Sequence, residues 1–193
     1  MNRFSTREQI VEAADQLFYE QGFEKTSFSE IAEVVQISRG NFYYHFKTKD
    51  DILQAVIDLR RATTRTMLDD WAQENETAVE SIRNFIQILI ENQTKIMAFG
   101  CPVGTLSTEL AKLDHSAKTQ ATAIFEMFHV WLAEQFVALG RPQDADYLAS
   151  HLLGRSQGVA ALATAFQDEE FVVREVDQLI AWVDAIADGA FST

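Results

Sequence analysis

The chain has 193 residues, 47% of them hydrophobic, with one cysteine and a formal net charge of −13. That length and apolar content can bury a full core as one domain or two, and a single cysteine excludes an internal disulfide framework. The amino terminus carries no apolar run of a signal peptide, and no stretch approaches ~18 uncharged apolar residues, so the expectation is a cytoplasmic protein with no membrane partner. Two prolines and eight glycines, with long runs of 3.6-residue periodicity, point to an all-α fold of about nine helices.

Ser5 and Glu8 form an S-x-x-E capping box that opens a first helix running to Gln21, with Ile10, Ala14, Leu17 and Phe18 on one face and Gly22 as its stop. A second box, Ser27 with Glu30, opens a short helix at about Phe28 whose buried stripe is Ile31, Ala32 and Val35. Ser38 caps a third helix. Ala32 is small enough for these two helices to cross steeply, and Ile37 and Phe42 fill the wedge between them. The third helix keeps Arg39, Gly40, Asn41, Tyr43 and Tyr44 on its outer face. Arg suits a guanine edge, Asn an adenine edge, and tyrosines suit thymine methyls and backbone oxygens. This is the pattern of a helix-turn-helix reader of double-stranded DNA.

The stretch from Thr26 to Leu53 resembles the DNA-binding signature of the TetR-type bacterial transcriptional regulators. The most specific piece is Phe42-Tyr43-Tyr44-His45-Phe46-Lys47-Thr48-Lys49, followed by Asp50-Asp51-Ile52-Leu53. The resemblance implies a helix-turn-helix domain over residues 1–48 and a helical effector-binding and dimerisation domain over 49–193. It also implies a homodimer on an inverted-repeat operator, most often a repressor, released by a small-molecule effector. Carried onto this chain, the signature places Arg39, Gly40, Asn41, Tyr43, Tyr44 and His45 at the operator, with Ser27, Ser38 and Lys49 at phosphates. One position departs from the pattern: the turn residue four after Ala32, usually Gly because it must be left-handed, is Gln36, at a cost of ~1 kcal/mol.

The charge is unevenly distributed. Residues 1–50 hold six basic and eight acidic residues, so most of the acid lies away from the reader. Non-specific DNA affinity should be weak and salt-sensitive, with specificity resting on a few placed contacts.

A fourth helix is expected from Lys49 to about Glu74, with Ile52, Val56, Leu59, Thr63, Met67 and Trp71 in register. Lys49, beside the free amides of its first turn, is either a phosphate clamp or a solvated lysine. A fifth helix covers Glu76 to Phe99 and stops at Gly100. Cys101 and Pro102 then make a corner before a short sixth helix through Leu110, since proline favours the first helical position. A seventh runs from about His115 to Leu139 and closes at Gly140 with Pro142 beyond.

The last two helices, about Asp144–Phe166 and Phe171–Ile186, are apolar on more than one face and need two partners. Gly154 and Gly158 permit close helix approach. With the family resemblance, Leu148, Leu152, Gly154, Gly158, Leu162, Val176, Leu179 and Val183 are assigned to a four-helix dimer interface. The alternative is a core internal to one chain.

No phosphate-binding glycine loop, nucleophile elbow, CxxC knuckle or His pair at i, i+4 is present, so neither an enzyme nor a cofactor or metal site is expected. Met67, Trp71, Phe85, Met97, Phe99, Phe125, Phe128 and Trp131 exceed what a minimal core requires. They are either ordinary core or, as the resemblance implies, partly the lining of a pocket for an apolar or aromatic effector, with Arg65, Cys101, Thr105, His129 and His151 as polar neighbours. His129 and His151 are equally explained as hydrogen-bonded packing residues. Cys101, at a helix start where a thiolate is favoured, opens an alternative in which oxidation or covalent modification is the switch, against its reading as apolar filler. A more distant third reading is a helical small-molecule carrier or enzyme with a vestigial reader.

Overall fold

The computed structural model describes residues 5–189, which form ten α-helices and no strand among them. They are α1 (Thr6–Gln21), α2 (Phe28–Val35), α3 (Arg39–His45), α4 (Lys49–Glu74), α5 (Ala78–Glu91), α6 (Gln93–Phe99), α7 (Pro102–Lys112), α8 (Lys118–Ala138), α9 (Ala145–Phe166) and α10 (Glu169–Ala187). Arg3, counted among the cations of the first fifty residues, lies outside the described residues. No described helix is long and apolar enough to cross a membrane.

The all-α expectation holds, and the tenth helix comes from an interruption. The helix expected over 76–99 breaks at Asn92, whose side-chain amide and backbone N–H both donate to the Ile88 carbonyl, at 3.1 and 3.0 Å. A local side-chain bond of this kind competes with the helical ladder, which is why Asn often marks a helix end. The true start of α5 is set by a third capping box: Thr77 accepts from the Glu80 amide, and the Glu80 carboxylate accepts from the Thr77 amide. That box puts Glu76 outside the helix. Asp168 caps α10 by accepting from the Phe171 amide at 3.1 Å, so α10 starts two residues before the expected Phe171.

The chain divides into two compact units. The first is Met1–Thr64 with Pro102–Ile124, the second Arg65–Cys101 with Phe125–Thr193. This is a division by packing, whereas the expected boundary after residue 48 is one of role. In the first unit Ile10, Ala14 and Phe18 of α1 share one core with Ile31, Phe42, Phe46, and Ile52, Leu53, Val56 and Ile57 of α4. Leu106 and Leu110 of α7 and Ala117 and Ala121 belong to the same cluster. Full burial of one such Leu or Ile is worth about 1.5–3 kcal/mol, so this late segment is integral to the unit. A partly buried ion pair joins α4 to α1, with Arg60 Nε 2.5 Å from Asp15 Oδ1.

In the second unit Ile82, Phe85, Ile86 and Leu89 of α5 form a buried stripe, and α5 packs against α10, whose stripe is Val172, Val176, Leu179, Val183 and Ile186. α9 packs on α6 and α10. Thr164 donates to the Ile96 carbonyl at 2.8 Å and Gln93 to the Glu169 carbonyl at 3.0 Å, fastening α6 to the last two helices.

Candidate nucleic-acid interface

The reader is assembled from the caps outward. Ser27 accepts from the Glu30 amide at 3.3 Å while Glu30 Oε2 accepts from the Ser27 amide at 2.7 Å, completing the box expected from sequence. The Ser27 hydroxyl and then its backbone amide hold the Glu30 carboxyl below the ordinary glutamate range, so it stays charged and keeps the cap. Ser38 caps α3 by accepting from the Asn41 amide at 3.3 Å. The Ser38 hydroxyl uses an acceptor lone pair in capping and retains a proton to donate toward a phosphate, whereas the Ser27 hydroxyl already bonds the Glu30 carboxylate.

The turn between α2 and α3 is where the sequence departs from pattern, and the geometry shows why a left-handed residue is needed there. Ile37 N–H donates to the Ala32 carbonyl and Gln36 N–H to the Glu33 carbonyl, both at 3.1 Å, which is the paired bonding of a Schellman turn. Gln36 accordingly sits at φ 58°, ψ 43°. A side chain there is strained by about 1 kcal/mol. Gln36→Gly is therefore expected to stabilise the chain by up to about 1 kcal/mol, less the entropy that glycine loses on folding, with chemical denaturation as the measurement.

On α3 only Phe42 is buried, against Phe28 with ring centroids 5.0 Å apart. Arg39, Gly40, Asn41, Tyr43 and Tyr44 all face outward, Tyr44 with 79% of its surface exposed. Tyr43 leans on Phe28 at 5.6 Å, which orients its ring while leaving it 47% exposed. Arg39 Nη2 donates to Ser29 Oγ at 3.2 Å, a partner that sequence reasoning missed although Ser29 lies in the first turn of α2. Arg39, Phe28, Ser29, Ala32, Phe42 and Tyr43 surround a shallow depression of about 140 Å³ between the two helices. A Cβ added to Gly40 would meet nothing closer than Ser38 Oγ at 4.0 Å, so the fold does not require glycine here. Its absence of a side chain instead leaves room for a sugar-phosphate backbone to come close. His45 is half-buried with its ring 5.1 Å from that of Tyr44.

Lys49 requires a correction. Its ammonium donates to the carbonyls of Phe23, Glu24 and Thr26 at 2.9, 3.0 and 3.2 Å and lies 4.4 Å from the centre of the Phe23 ring. A lysine has three donors, and all three are occupied within the chain, so the side chain is neither a phosphate clamp nor a solvated lysine in this structure. The start of α4 is capped instead by Thr48, which accepts from the Asp51 amide, and by Asp51, which accepts from the Thr48 and Lys47 amides. The Thr48 backbone amide, first among these, keeps the Asp51 carboxyl below its ordinary value.

The residues assigned to an effector site are only partly brought together. Trp71 and Trp131 pair at 5.6 Å, and Phe85 and Phe128 also at 5.6 Å. Trp131 is 8% exposed and its Nε1 is buried with no hydrogen-bond partner. Met67, Met97, Phe99, Cys101 and Phe125 are half-buried, whereas Arg65 and Thr105 are exposed. Cys101 directly precedes Pro102, the first residue of α7. The two histidines face surface grooves. His129 Nε2 lies 2.9 Å from Ser150 Oγ and 3.4 Å from Asp146, and His151 lies 5.0 Å from the Trp182 ring and 6.1 Å from that of Tyr147.

Of the residues assigned to a dimer interface, Leu148, Leu152, Val176, Leu179 and Val183 are 0–2% exposed in the single chain. They pack inside the second unit and have no surface left for another copy, which corrects their assignment. Gly154, Gly158 and Leu162 are exposed. They line a groove of about 500 Å³ with Ser150, His151, Arg155 and Phe171.

The arrangement defines a class: a helix-turn-helix DNA reader joined to an all-helical body. A family model described as bacterial regulatory proteins, tetR family, matches residues 10–56, and one described as transcriptional regulator LmrA/YxaF-like, C-terminal domain, matches residues 78–178. The chain belongs to the TetR family and is a DNA-binding transcriptional regulator. An uncharacterized HTH-type transcriptional regulator in the lacX 3′ region of Lactococcus lactis subsp. lactis is 28% identical over 182 residues, covering 92% of this chain and 93% of that one. The HTH-type transcriptional repressor DhaR of Mycobacterium sp. (strain GP1) is 28% identical over 169 residues, covering 82% of each. A crystal structure of a TetR transcriptional regulator from Legionella pneumophila superimposes with a TM-score of 0.83 at 25% identity, covering 96% of this chain and 99% of that one.

Proposed function

We propose that the protein is a homodimeric repressor that leaves an inverted-repeat operator when an apolar or aromatic molecule binds its body. The observation that carries the dimer is a row on α9: Gly154, Gly158, Leu162 and Phe166 recur every four residues and are all exposed, Leu162 by 43% and Phe166 by 58%. A four-residue row is the ridge that interdigitates in helix packing. Glycine in a helix interior costs roughly 0.5–1 kcal/mol relative to Ala, a cost that close approach of a partner helix offsets. Tyr147 of the same helix is exposed as well. Repression is supported by the likeness to the repressor DhaR. Two readers related by a two-fold axis require half-sites about 34–36 Å apart, or a multiple suited to the operator. A footprint of the purified protein on its own promoter region is the test. Protection of two inverted half-sites supports the reading, and tight binding of one complete site by a monomer overturns it.

For the effector, the unpaired indole N–H of Trp131 beside Trp71 is the supporting feature. A buried donor without a partner is unfavourable by about 1–3 kcal/mol, so a ring carrying a hydrogen-bond acceptor gains there what a plain hydrocarbon does not. Such a compound is expected to quench or shift tryptophan emission and to lower operator affinity about 10-fold or more, and Trp131→Phe should lower its affinity selectively over that of acceptor-free analogues. Compounds that bind the body tightly while operator affinity stays constant would argue against an induced repressor.

A further inference from the structure

We infer that Glu109 of α7 is a positioning residue for operator binding, acting through the loop of residues 22–26 that joins α1 to the reader. The inference rests on α2–α3 being that reader. Past Gly22, whose N–H still closes α1 on the Phe18 carbonyl, the N–H groups of Phe23 and Glu24 lie outside the helical ladder and need partners from elsewhere. The N–H groups of Phe23 and Glu24 donate to Glu109 Oε2 and Oε1, each at 2.9 Å. The carbonyls of Phe23, Glu24 and Thr26 accept from Lys49 of α4. Two side chains of opposite charge, from two different helices, thus hold the two kinds of polar group on one short loop.

Gly22 shows how closely the carboxylate is fitted. Its φ is +94°, and a Cβ at this position would lie 3.0 Å from Glu109 Oε1. Glycine is required both by the backbone conformation and by the approach of the carboxylate. The loop then closes on itself, the Thr26 hydroxyl donating to the Gly22 carbonyl at 2.7 Å, immediately before the Ser27 cap of α2. A displacement of Glu109 is therefore delivered to the first residue of the reader.

α7 is fastened to the same body at both ends. Arg60 Nη1 donates to the Pro102 carbonyl at 2.5 Å while its Nε holds Asp15 of α1. Beyond the far end, the His115 ring meets that of Phe23 at 5.3 Å and its Nε2 lies 3.4 Å from Asp50. Along the chain, α7 begins where the second unit gives way to the first, between Cys101 and Pro102. Hydrogen bonds to a charged group are short and directional, so they transmit a shift of the helix that carries them.

The test uses the full chain, a duplex selected by the wild-type protein from a random pool, and a random-sequence duplex of equal length. Glu109→Ala removes both acceptors. Amide exchange of Phe23 and Glu24 should accelerate at least about 10-fold, and affinity for the selected duplex should fall about 10-fold or more with little change on random DNA. Glu109→Gln, which keeps the size and one acceptor, should fall between the two and serves if the alanine variant folds poorly. A residue that merely stabilised the fold would lower both affinities together through the folded fraction. Faster exchange at an unchanged ratio of selected to random affinity overturns the inference, as does unchanged exchange. Failure of the wild-type chain to select any inverted repeat would instead overturn the reading of the reader, and it appears before any substitution is made.

Discussion

Gly158→Phe is expected to leave each chain folded, convert the protein to a monomer, and lower operator affinity by roughly 100-fold or more. The reasoning begins with the empty space at that position. A Cβ built on Gly158 meets nothing within 4 Å, and the same is true of Gly154, so the single chain does not object to a side chain. Replacing glycine in an exposed helix interior also improves helix propensity by a few tenths of a kcal/mol. The substitution acts on a second copy alone, filling the row through which α9 would approach it. Once the two readers are no longer joined, binding the second half-site ceases to be intramolecular, and an avidity gain on the order of 10²–10⁴ is lost. Sedimentation, thermal unfolding and gel shift separate the three claims. A variant that remains dimeric, or a monomer with undiminished operator affinity, would remove α9 from the interface.

Arg39→Ala and Tyr43→Ala are expected to have comparable consequences by a different route. Each base-edge contact is worth ~1–3 kcal/mol, and a two-fold dimer loses it twice, so roughly 2–6 kcal/mol of operator binding disappears while preference is relaxed at one base position per half-site. Arg39 is held toward Ser29, and Tyr43 is set against Phe28, so both are presented from a supported geometry. Tyr43→Phe keeps the ring contact and removes the hydroxyl, which distinguishes packing from recognition. Gel shifts over single-base operator variants give the measurement. Unchanged affinity in both alanine variants would refute the assignment of α3 as the recognition helix.

Much of this was legible in the sequence because short-range chemistry determined it. The Ser5–Glu8 and Ser27–Glu30 boxes fall where their spacing placed them, and Gln36 takes the left-handed conformation expected of the turn despite its side chain. Other features depended on which surface meets which. Periodicity marked Val176, Leu179 and Val183 as a buried stripe but not what buries them, and α5 of the same chain does. Lys49 stood in the right place for a phosphate, yet three carbonyls of a loop some twenty-five residues earlier claim it. The break at Asn92 was missed because apolar periodicity runs through it, and a single side chain bonding back to Ile88 is invisible to a periodicity argument. The partnership of Glu109 with the loop at Phe23 spans 86 positions, beyond any local pattern.

The return of α7 and the start of α8 to the first unit has a consequence for exchanging parts between relatives. A reader cut out at residue 48, or even at Thr64, would leave behind Leu106, Leu110, Ala117 and Ala121, which share its core, and Glu109, which holds its first loop. Grafted onto another body, the fragment ending at Thr64 would expose Ile52, Leu53 and Val56 to whatever residues the new host offers in their place. A functional chimera therefore needs three crossovers rather than one, carrying residues 102–124 along with the amino-terminal segment. By the same argument, a substitution in the reader's core can be compensated half a chain away, so DNA specificity and body sequence are expected to drift as a coupled pair.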